Sequence, residues 1–136
     1  MTMRFVLVDD NSRFLRAARS LLEKQGIAVV GVASTGEEAV RRAEELRPDV
    51  LLVDIDLGSE SGFDVTRQLT TAGAASVILI STHAEQDFAD LIAASPAVGF
   101  ISKSALSATT IHQVLKNRTQ DRSRHPRSPG DLSDSP

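Results

Sequence analysis

The chain of 136 residues contains no cysteine, no tryptophan and no tyrosine. Without cysteine it forms no disulfide framework and no thiolate metal site, which is typical of proteins in the reducing cytoplasm. The formal net charge of −3 gives no basic field that would attract nucleic acid or an anionic membrane. No apolar run approaches the roughly 18 residues of a membrane helix, and the N-terminal run is too short for a signal peptide. We therefore expect a cytoplasmic protein without a membrane span.

Two kinds of segment alternate along the chain. Short apolar, β-branched runs are typical of strands buried on both faces of a parallel sheet. They occupy residues 5–8, 27–32, 50–53, 77–80 and 98–101. Longer amphipathic segments between them predict helices over residues 11–25, 35–46, 63–72, 85–94 and 107–116. This (βα)5 pattern predicts an α/β fold with a doubly wound, parallel, five-stranded sheet.

The end of the chain differs in composition from the rest. Residues 118–136 include three prolines and a single aliphatic residue, Leu132. Such a segment buries too little apolar surface to fold alone. We therefore predict one domain over residues 1–117, followed by a disordered polar tail over residues 118–136.

Carboxylates close two of the predicted strands. Asp9 and Asp10 follow the first strand, and Asp54 and Asp56 close the third. In open α/β sheets, ligands bind beyond the carboxyl ends of the strands. If the two strands are neighbours, Asp9, Asp10 and Asp54 share one pocket, where a divalent cation would relieve their repulsion. An all-oxygen ligand set favours Mg²⁺ or Mn²⁺. The alternative is that these residues are helix caps and solvated strand ends, with Asp10 or Asn11 capping the first helix.

The last two predicted strands also end in polar groups. Ser81 and Thr82 end the fourth strand, and Lys103 ends the fifth. A hydroxyl, an ammonium group and a cation held by carboxylates together suit a phosphoryl group. Each residue alone is a common surface or capping residue, so the prediction depends on their meeting at one edge of one sheet.

Four motifs in order resemble the receiver domain of two-component response regulators, the CheY-like family. They are the acidic pair Asp9–Asp10, the aspartate of DIDLGSESG at residues 54–62, the hydroxyl of Ser81, and GFISK at residues 99–103. The resemblance covers about residues 3–117. It implies a flavodoxin-like sheet with strand order 2-1-3-4-5.

The resemblance also implies a phosphoacceptor site. Asp54 would accept a phosphoryl group from a phosphohistidine on a sensor histidine kinase or a histidine phosphotransfer protein. Asp10 and Asp54 would hold Mg²⁺ through their side chains and Asp56 through its backbone carbonyl, while Asp9 would act through water. The implied role is that of a phosphoacceptor with self-dephosphorylation at most, and not that of an enzyme.

Further roles carried over from the family concern the response to phosphorylation. Lys103 would pair with the phosphoryl oxygens, Ser81 would be the switch hydroxyl and Phe100 the switch aromatic residue. Asp56, Thr82 and His83 occupy positions that tune reaction rates. The output surface would be the fourth helix, fifth strand and fifth helix. This surface would contact a downstream protein, without direct DNA binding, and a homodimer through it stays open.

The sequence departs from the family pattern at three positions. Thr82 is bulkier than the small residue that usually follows the switch hydroxyl, which predicts slower entry of small phosphodonors. Gly58 stands where proline is frequent, which predicts a looser loop, and Ser104 replaces the proline that usually follows the lysine. The change at Ser104 leaves the geometry of the Lys103–Ser104 bond open, because non-proline cis bonds cost about 3 kcal/mol.

Two other functions share parts of this pattern. A haloacid-dehalogenase-type phosphatase also ends a strand with Asp-x-Asp, as in Asp54 and Asp56, but Gly58 stands where that motif has threonine or valine. A receiver-like adaptor that works without phosphorylation is the second alternative. The complete set of acidic residues, hydroxyl and lysine argues against it, and Mg²⁺ affinity would separate the two.

Overall fold

A computed structural model describes residues 3–73 and 76–124, with side chains described through residue 117. All five predicted strands form: β1 Arg4–Val8, β2 Ala28–Ala33, β3 Val50–Asp54, β4 Ser76–Ser81 and β5 Gly99–Ser102. The helices are α1 Ser12–Lys24, α2 Gly36–Leu46, α3 Gly62–Thr71, α4 Ala89–Ala94 and α5 Ala108–Arg124. A short antiparallel hairpin, Asp56–Leu57 with Glu60–Ser61, connects β3 to α3.

The sheet is parallel throughout, with strand order β2-β1-β3-β4-β5. The predicted fold class and the strand order implied by the resemblance are therefore confirmed. Alternate residues of each strand point to opposite faces. Phe5 and Leu7 of β1 enter the core cluster that includes α1 side chains, while Val6 and Val8 enter the cluster that includes α3 side chains. Burial on both faces explains why the strands are continuously apolar.

Four helices begin at side-chain caps, among them α5, where Ser107 Oγ accepts a hydrogen bond from Thr110 N at 3.1 Å. Asn11 accepts hydrogen bonds from the backbone N–H groups of Arg13 and Phe14, so the capping alternative is correct for Asn11. Thr35 accepts from Glu38 N, as its capping-box pattern indicates. Ser61 accepts from Phe63 N at the start of α3. These bonds satisfy N–H groups that the first helical turn leaves without a partner.

The fourth helical segment differs from its prediction. Instead of one helix over residues 85–94, the chain forms a 3₁₀ turn, Glu85–Phe88, and then the six-residue α4, Ala89–Ala94. Neither piece has a side-chain hydrogen bond at its N-cap, and neither contains a buried residue. Helices in proteins depend on packing for most of their stability. A segment that has neither a cap nor a buried residue therefore forms only a short helix.

Helix α5 is longer than predicted and continues to Arg124, so the first residues of the predicted tail are helical. Residues 125–136 lie outside the described part of the chain, and the boundary at residue 117 and the disordered tail stay predictions. Helix α5 packs closely on β5, where a Cβ at Gly99 would lie 2.3 Å from Val114 Cγ1. No helix within the described residues has the length and apolar character to cross a bilayer.

Candidate functional site

Three carboxylates meet at the carboxyl edge of the sheet. Val8 of β1 pairs with Val53 of β3, so Asp9 and Asp54, one residue further along each strand, are neighbours. One carboxylate oxygen from each of Asp9, Asp10 and Asp54 lies within 4.8 Å of the other two. Asp9 is fully buried, Asp54 is 6% exposed and Asp10 is exposed. The predicted convergence therefore occurs in the structure.

Lys103 is the cationic partner of the two buried carboxylates. Its Nζ lies 2.6 Å from Asp9 Oδ2 and 3.1 Å from Asp54 Oδ2. Only 13% of its side chain is exposed. A buried carboxylate without a cation would be costly, and the ammonium group supplies the compensating charge. The packing of the sheet brings these three residues together, although they come from three different strand ends of the chain.

Backbone groups fix the outer oxygens of the same carboxylates. Asp9 Oδ1 accepts a hydrogen bond from Asn11 N at 2.9 Å, and Asp54 Oδ1 accepts from Asp56 N at 3.1 Å. The inner oxygen, Asp9 Oδ2, is buried and has no hydrogen-bond partner among the described residues, although it is ion-paired with Lys103. The charge of this buried oxygen is therefore compensated by the Lys103 ammonium group.

Burial and charge shift the ionisation of the site. Burial raises the pKa of Asp54 from its ordinary value of 3.8 to about 6; the charge of Asp9 acts in the same direction, and the Asp56 N–H and Lys103 oppose it. Burial lowers the pKa of Lys103, but its contacts with Asp9 and Asp54 outweigh burial, so its pKa lies above the ordinary value. Near neutral pH the site holds a charged carboxylate and a charged ammonium.

The hydroxyl of Ser81 closes the other side of the pocket. Ser81 ends β4, is 2% exposed, and accepts a hydrogen bond from His83 N at 2.9 Å. Its Oγ also lies 3.4 Å from His83 Nδ1. The pocket has a volume of about 240 Å³. It is lined by Asp9, Asp10, Asn11, Asp54, Asp56, Gly58, Ser81, Thr82, His83 and Lys103.

Nine predicted site residues divide into a pocket group and one outlier. Eight of them line the pocket: Asp9, Asp10, Asp54, Asp56, Ser81, Thr82, His83 and Lys103. The ninth, Phe100, is half-buried on β5 and packs against the core cluster on the α3 side of the sheet, outside the pocket lining of the described chain. The side chain of Asp56 is exposed, in line with the expectation that only its backbone faces a metal.

The structure shows the backbone conformation at two departures from the family pattern, Gly58 and Ser104. Gly58 has φ of 73°, a left-handed backbone that proline, with φ fixed near −65°, does not adopt. No cis peptide bond occurs in the described part of the chain, so the bond between Lys103 and Ser104 is trans.

One contact at the site has no counterpart in the sequence patterns. The Lys103 Nζ lies 4.2 Å from the centroid of the Phe14 ring, in the first turn of α1. Phe14 carries an apolar helical pattern, which indicates a core residue and gives no sign of a lysine contact. No local sequence signal joins two residues that lie at opposite ends of the domain sequence.

Comparisons with known proteins identify the class of domain. The profile of the response regulator receiver domain matches residues 5–116, so the chain belongs to this family of two-component signalling domains. It is 31% identical to a protein-glutamate methylesterase/protein-glutamine glutaminase of Alkalilimnicola ehrlichii, over 90% of this chain and 32% of that protein. It is 32% identical to the response regulator GacA of Pseudomonas viridiflava, over 80% of this chain and 52% of that protein.

The chain thus spans about a third to a half of the length of these curated relatives. Among solved structures, it resembles the signal receiver domain of a modulated diguanylate cyclase from Desulfovibrio desulfuricans, with a TM-score of 0.74 and 28% identity over 90% of this chain and 98% of that one. The response regulator domain of Thermotoga maritima CheB gives a TM-score of 0.67 and 28% identity, over 90% and 96%. Because the chain belongs to the receiver family, the alternative of a haloacid-dehalogenase-type phosphatase is set aside.

Proposed function

We propose that this receiver domain accepts a phosphoryl group on Asp54 from a phosphohistidine of a sensor histidine kinase or a histidine phosphotransfer protein. The observation that carries the proposal is the environment of Asp54. Its carboxylate is almost buried, yet it lines an open pocket, with an ammonium group at 3.1 Å and two further carboxylates close by. A structural ion pair would need only one of those carboxylates and no pocket.

The donor atoms of the pocket fit Mg²⁺, with Mn²⁺ as a substitute. They are all oxygens, and one carboxylate oxygen from each of Asp9, Asp10 and Asp54 lies within 4.8 Å of the other two. In this proposal Asp10, Asp54 and the backbone carbonyl of Asp56 hold the ion, and Asp9 acts through water. When bound, the ion neutralises negative charge on the phosphoryl group, which is the main requirement of phosphoryl transfer.

The reaction assigns one task to each polar side chain. An ionised oxygen of Asp54 forms a bond to phosphorus, the phosphorus–nitrogen bond of the donor breaks, and its electron pair stays on the donor imidazole. Without a bound ion, burial raises the pKa of Asp54 to about 6, so this carboxylate is already ionised near neutral pH before the ion and the donor bind. Lys103 pairs with the phosphoryl oxygens and limits their repulsion with the remaining carboxylates.

The response begins at Ser81. Its hydroxyl lies at the pocket and is hydrogen-bonded only within its own loop, to His83, in the contacts described. A phosphoryl group on Asp54 attracts this hydroxyl, and the half-buried Phe100 on the neighbouring strand takes up the space that is released. The bonded arrangement gains population because it alone contacts the phosphoryl group. Asp56, Thr82 and His83 tune the lifetime of the phosphorylated form.

The changed surface comprises α4, β5 and α5 and contacts a downstream protein, of which a second copy of the chain is one candidate. The acidic side chains of Glu85, Asp87 and Asp90 beside this surface do not favour direct binding to DNA. Since the phosphodonors are cytoplasmic proteins, we assign the domain to the cytoplasm. The methylesterase relative matches over 32% of its length, so its activity is not transferred to this chain.

Beryllofluoride, a phosphoryl mimic, tests the assignment. We expect amide NMR shifts at Ser81, Phe100 and Lys103 when wild type receives beryllofluoride with Mg²⁺, and none when Mg²⁺ is withheld. The variant Asp54→Asn keeps its fold but shows no such shifts, because the amide does not coordinate beryllium as the carboxylate does. Asp64→Asn, an exposed aspartate on α3 outside the pocket, serves as the matched control and responds like wild type.

Two outcomes count against the proposal. An equal response in Asp54→Asn would remove Asp54 from the role of acceptor. Absence of any response in wild type, together with no Mg²⁺ binding, would favour the adaptor that works without phosphorylation.

A further inference from the structure

The ammonium group of Lys103 contacts an aromatic ring as well as two carboxylates. Nζ lies 4.2 Å from the Phe14 ring centroid, well inside the roughly 6 Å range of a cation–π interaction. Such interactions strengthen as the cation loses water, and only 13% of the Lys103 side chain is exposed. We propose that Phe14 is a positioning residue, which keeps the Lys103 ammonium at the phosphoacceptor pocket while its polar partners change.

The ring is itself held in place by the edge of the same pocket. Phe14 N donates a hydrogen bond to Asn11 Oδ1 at 3.1 Å, and Asn11 N donates to Asp9 Oδ1 at 2.9 Å. The Phe14 ring is half-buried and packs against the core cluster on the α1 side of the sheet, which includes Leu106. The first turn of α1 therefore fixes the ring relative to Asp9, the carboxylate that lies closest to Lys103.

An aromatic ring suits this position better than another polar partner. Three carboxylates already converge in the pocket, and another beside Lys103 would increase their repulsion. A ring attracts the ammonium through its quadrupole and adds no net charge. It also imposes no hydrogen-bond direction. The ammonium can therefore leave Asp9 and follow a phosphoryl oxygen on Asp54 without losing this contact.

This inference rests on the proposed phosphoacceptor function, but its first test does not. Protons over an aromatic face are shifted upfield by the ring current, so the Lys103 ε-methylene resonances of the Mg²⁺-free wild type should lie upfield of their ordinary position. Phe14→Leu keeps an apolar helical side chain and should remove that shift, while Phe14→Tyr should retain it. Phe88→Leu is the matched control, because its ring contacts Phe63 and His83 instead of Lys103.

The second test measures beryllofluoride affinity in the presence of Mg²⁺. A small mimic is used so that any contact between α1 and a protein donor plays no part. We expect Phe14→Leu to weaken binding about three- to tenfold, the range of a partly desolvated cation–π contact, and Phe14→Tyr to bind like wild type. In a Lys103→Ala background, Phe14→Leu should change the remaining affinity by less than about twofold, since the partner is gone.

The outcomes separate this inference from the proposed function. An unchanged Lys103 shift in Phe14→Leu would overturn the inference, as would an equal loss of affinity with and without Lys103, which would show a purely structural role. A wild type that binds no beryllofluoride would contradict the phosphoacceptor proposal and the assisting role of Phe14 in it. The ring-current result would then still decide whether Phe14 holds the ammonium.

Discussion

The two sides of the pocket differ in the length, capping and burial of their helices. The side formed by β1, β3 and α1, which we term the binding side, carries Asp9 and Asp54 and holds the Lys103 ammonium. Its thirteen-residue helix α1 has a two-bond cap at Asn11 and three buried residues. The other side, which we term the responding side, is formed by the end of β4, the four-residue 3₁₀ turn Glu85–Phe88 and the six-residue helix α4. These two helical pieces have no side-chain cap and no buried residue.

This difference fits the roles that we propose for the two sides. Carboxylates close to one another and to an ammonium group need fixed geometry, because small displacements of buried charges are costly. A segment that changes conformation needs the opposite, namely few contacts to break. Low local stability is expected of segments with few buried apolar contacts and exposed backbone hydrogen bonds. Leu91 of α4, 54% exposed, is an apolar residue that a partner or a rearranged α4 would bury.

Without the Lys103 ammonium group, a ligand on the binding side should no longer change the responding side. This is the largest effect we expect. Lys103→Ala should still bind Mg²⁺ through the carboxylates, but its beryllofluoride affinity should fall about 10- to 100-fold, the range of a lost charge-assisted contact. At concentrations that saturate wild type, amide shifts at Ser81 and Phe100 should be missing. Wild-type shifts in this variant would show that the binding side communicates without Lys103.

Hydrogen exchange should display the contrast directly in the unmodified protein. We expect amides of α4 to exchange at least about 100-fold faster than the interior amides of α1, because α4 is short and has no fully buried residue. Native-state exchange followed by NMR gives both rates in one sample. Equal protection of α4 and α1 would show that the responding side is as firmly held as the binding side.

The buried charge of Asp54 should lower the free energy of unfolding near neutral pH. Since burial raises its folded-state pKa to about 6 from 3.8, the folded protein binds this proton more tightly than the unfolded chain, and stability falls as pH rises from about 4 to 6. Asp54→Asn, which does not titrate, should therefore be more stable than wild type at pH 7 by on the order of 1–2 kcal/mol. Urea unfolding with a chelator present measures the difference.

The gain in Asp54→Asn should shrink towards pH 4, where the wild-type carboxyl is protonated in the folded state. Asp87→Asn, at an exposed position, should show no comparable gain. An advantage of Asp54→Asn that grows on acidification would contradict a raised folded-state pKa for Asp54.

The smallest effect concerns the cap of α1. Asn11→Ala removes both hydrogen bonds to the first turn and should cost about 1 kcal/mol of unfolding free energy. Because Asn11 also stands between Asp9 and Phe14, the same variant should broaden the Lys103 resonances. Thr35→Ala, which removes the cap of α2 far from Lys103, should cost a similar amount of stability and leave those resonances unchanged.

Local patterns and strand-end chemistry predicted most of this molecule. The five strands and their parallel arrangement follow from the short apolar runs. The neighbouring placement of β1 and β3, which brings Asp9, Asp10 and Asp54 together, was implied by the resemblance to receiver domains. The break between Glu85–Phe88 and α4 was missed, because its apolar spacing suits one continuous helix and only tertiary packing shows that none of its residues is buried. The Phe14–Lys103 contact was missed because the fold, and no local motif, brings the two residues together.

Close backbone packing at Gly62 limits which amino acids this position can accept. The backbone N–H of Gly62 donates to Ile55 O at 2.7 Å, and a Cβ there would lie 2.0 Å from Asp54 O. Even alanine would collide with the main chain of Asp54, the proposed phosphoacceptor. In a saturation library selected for signalling, position 62 should therefore retain glycine alone. At Gly26 a Cβ would meet no atom within 4 Å, so the cost there is limited to backbone strain and several residue types should survive.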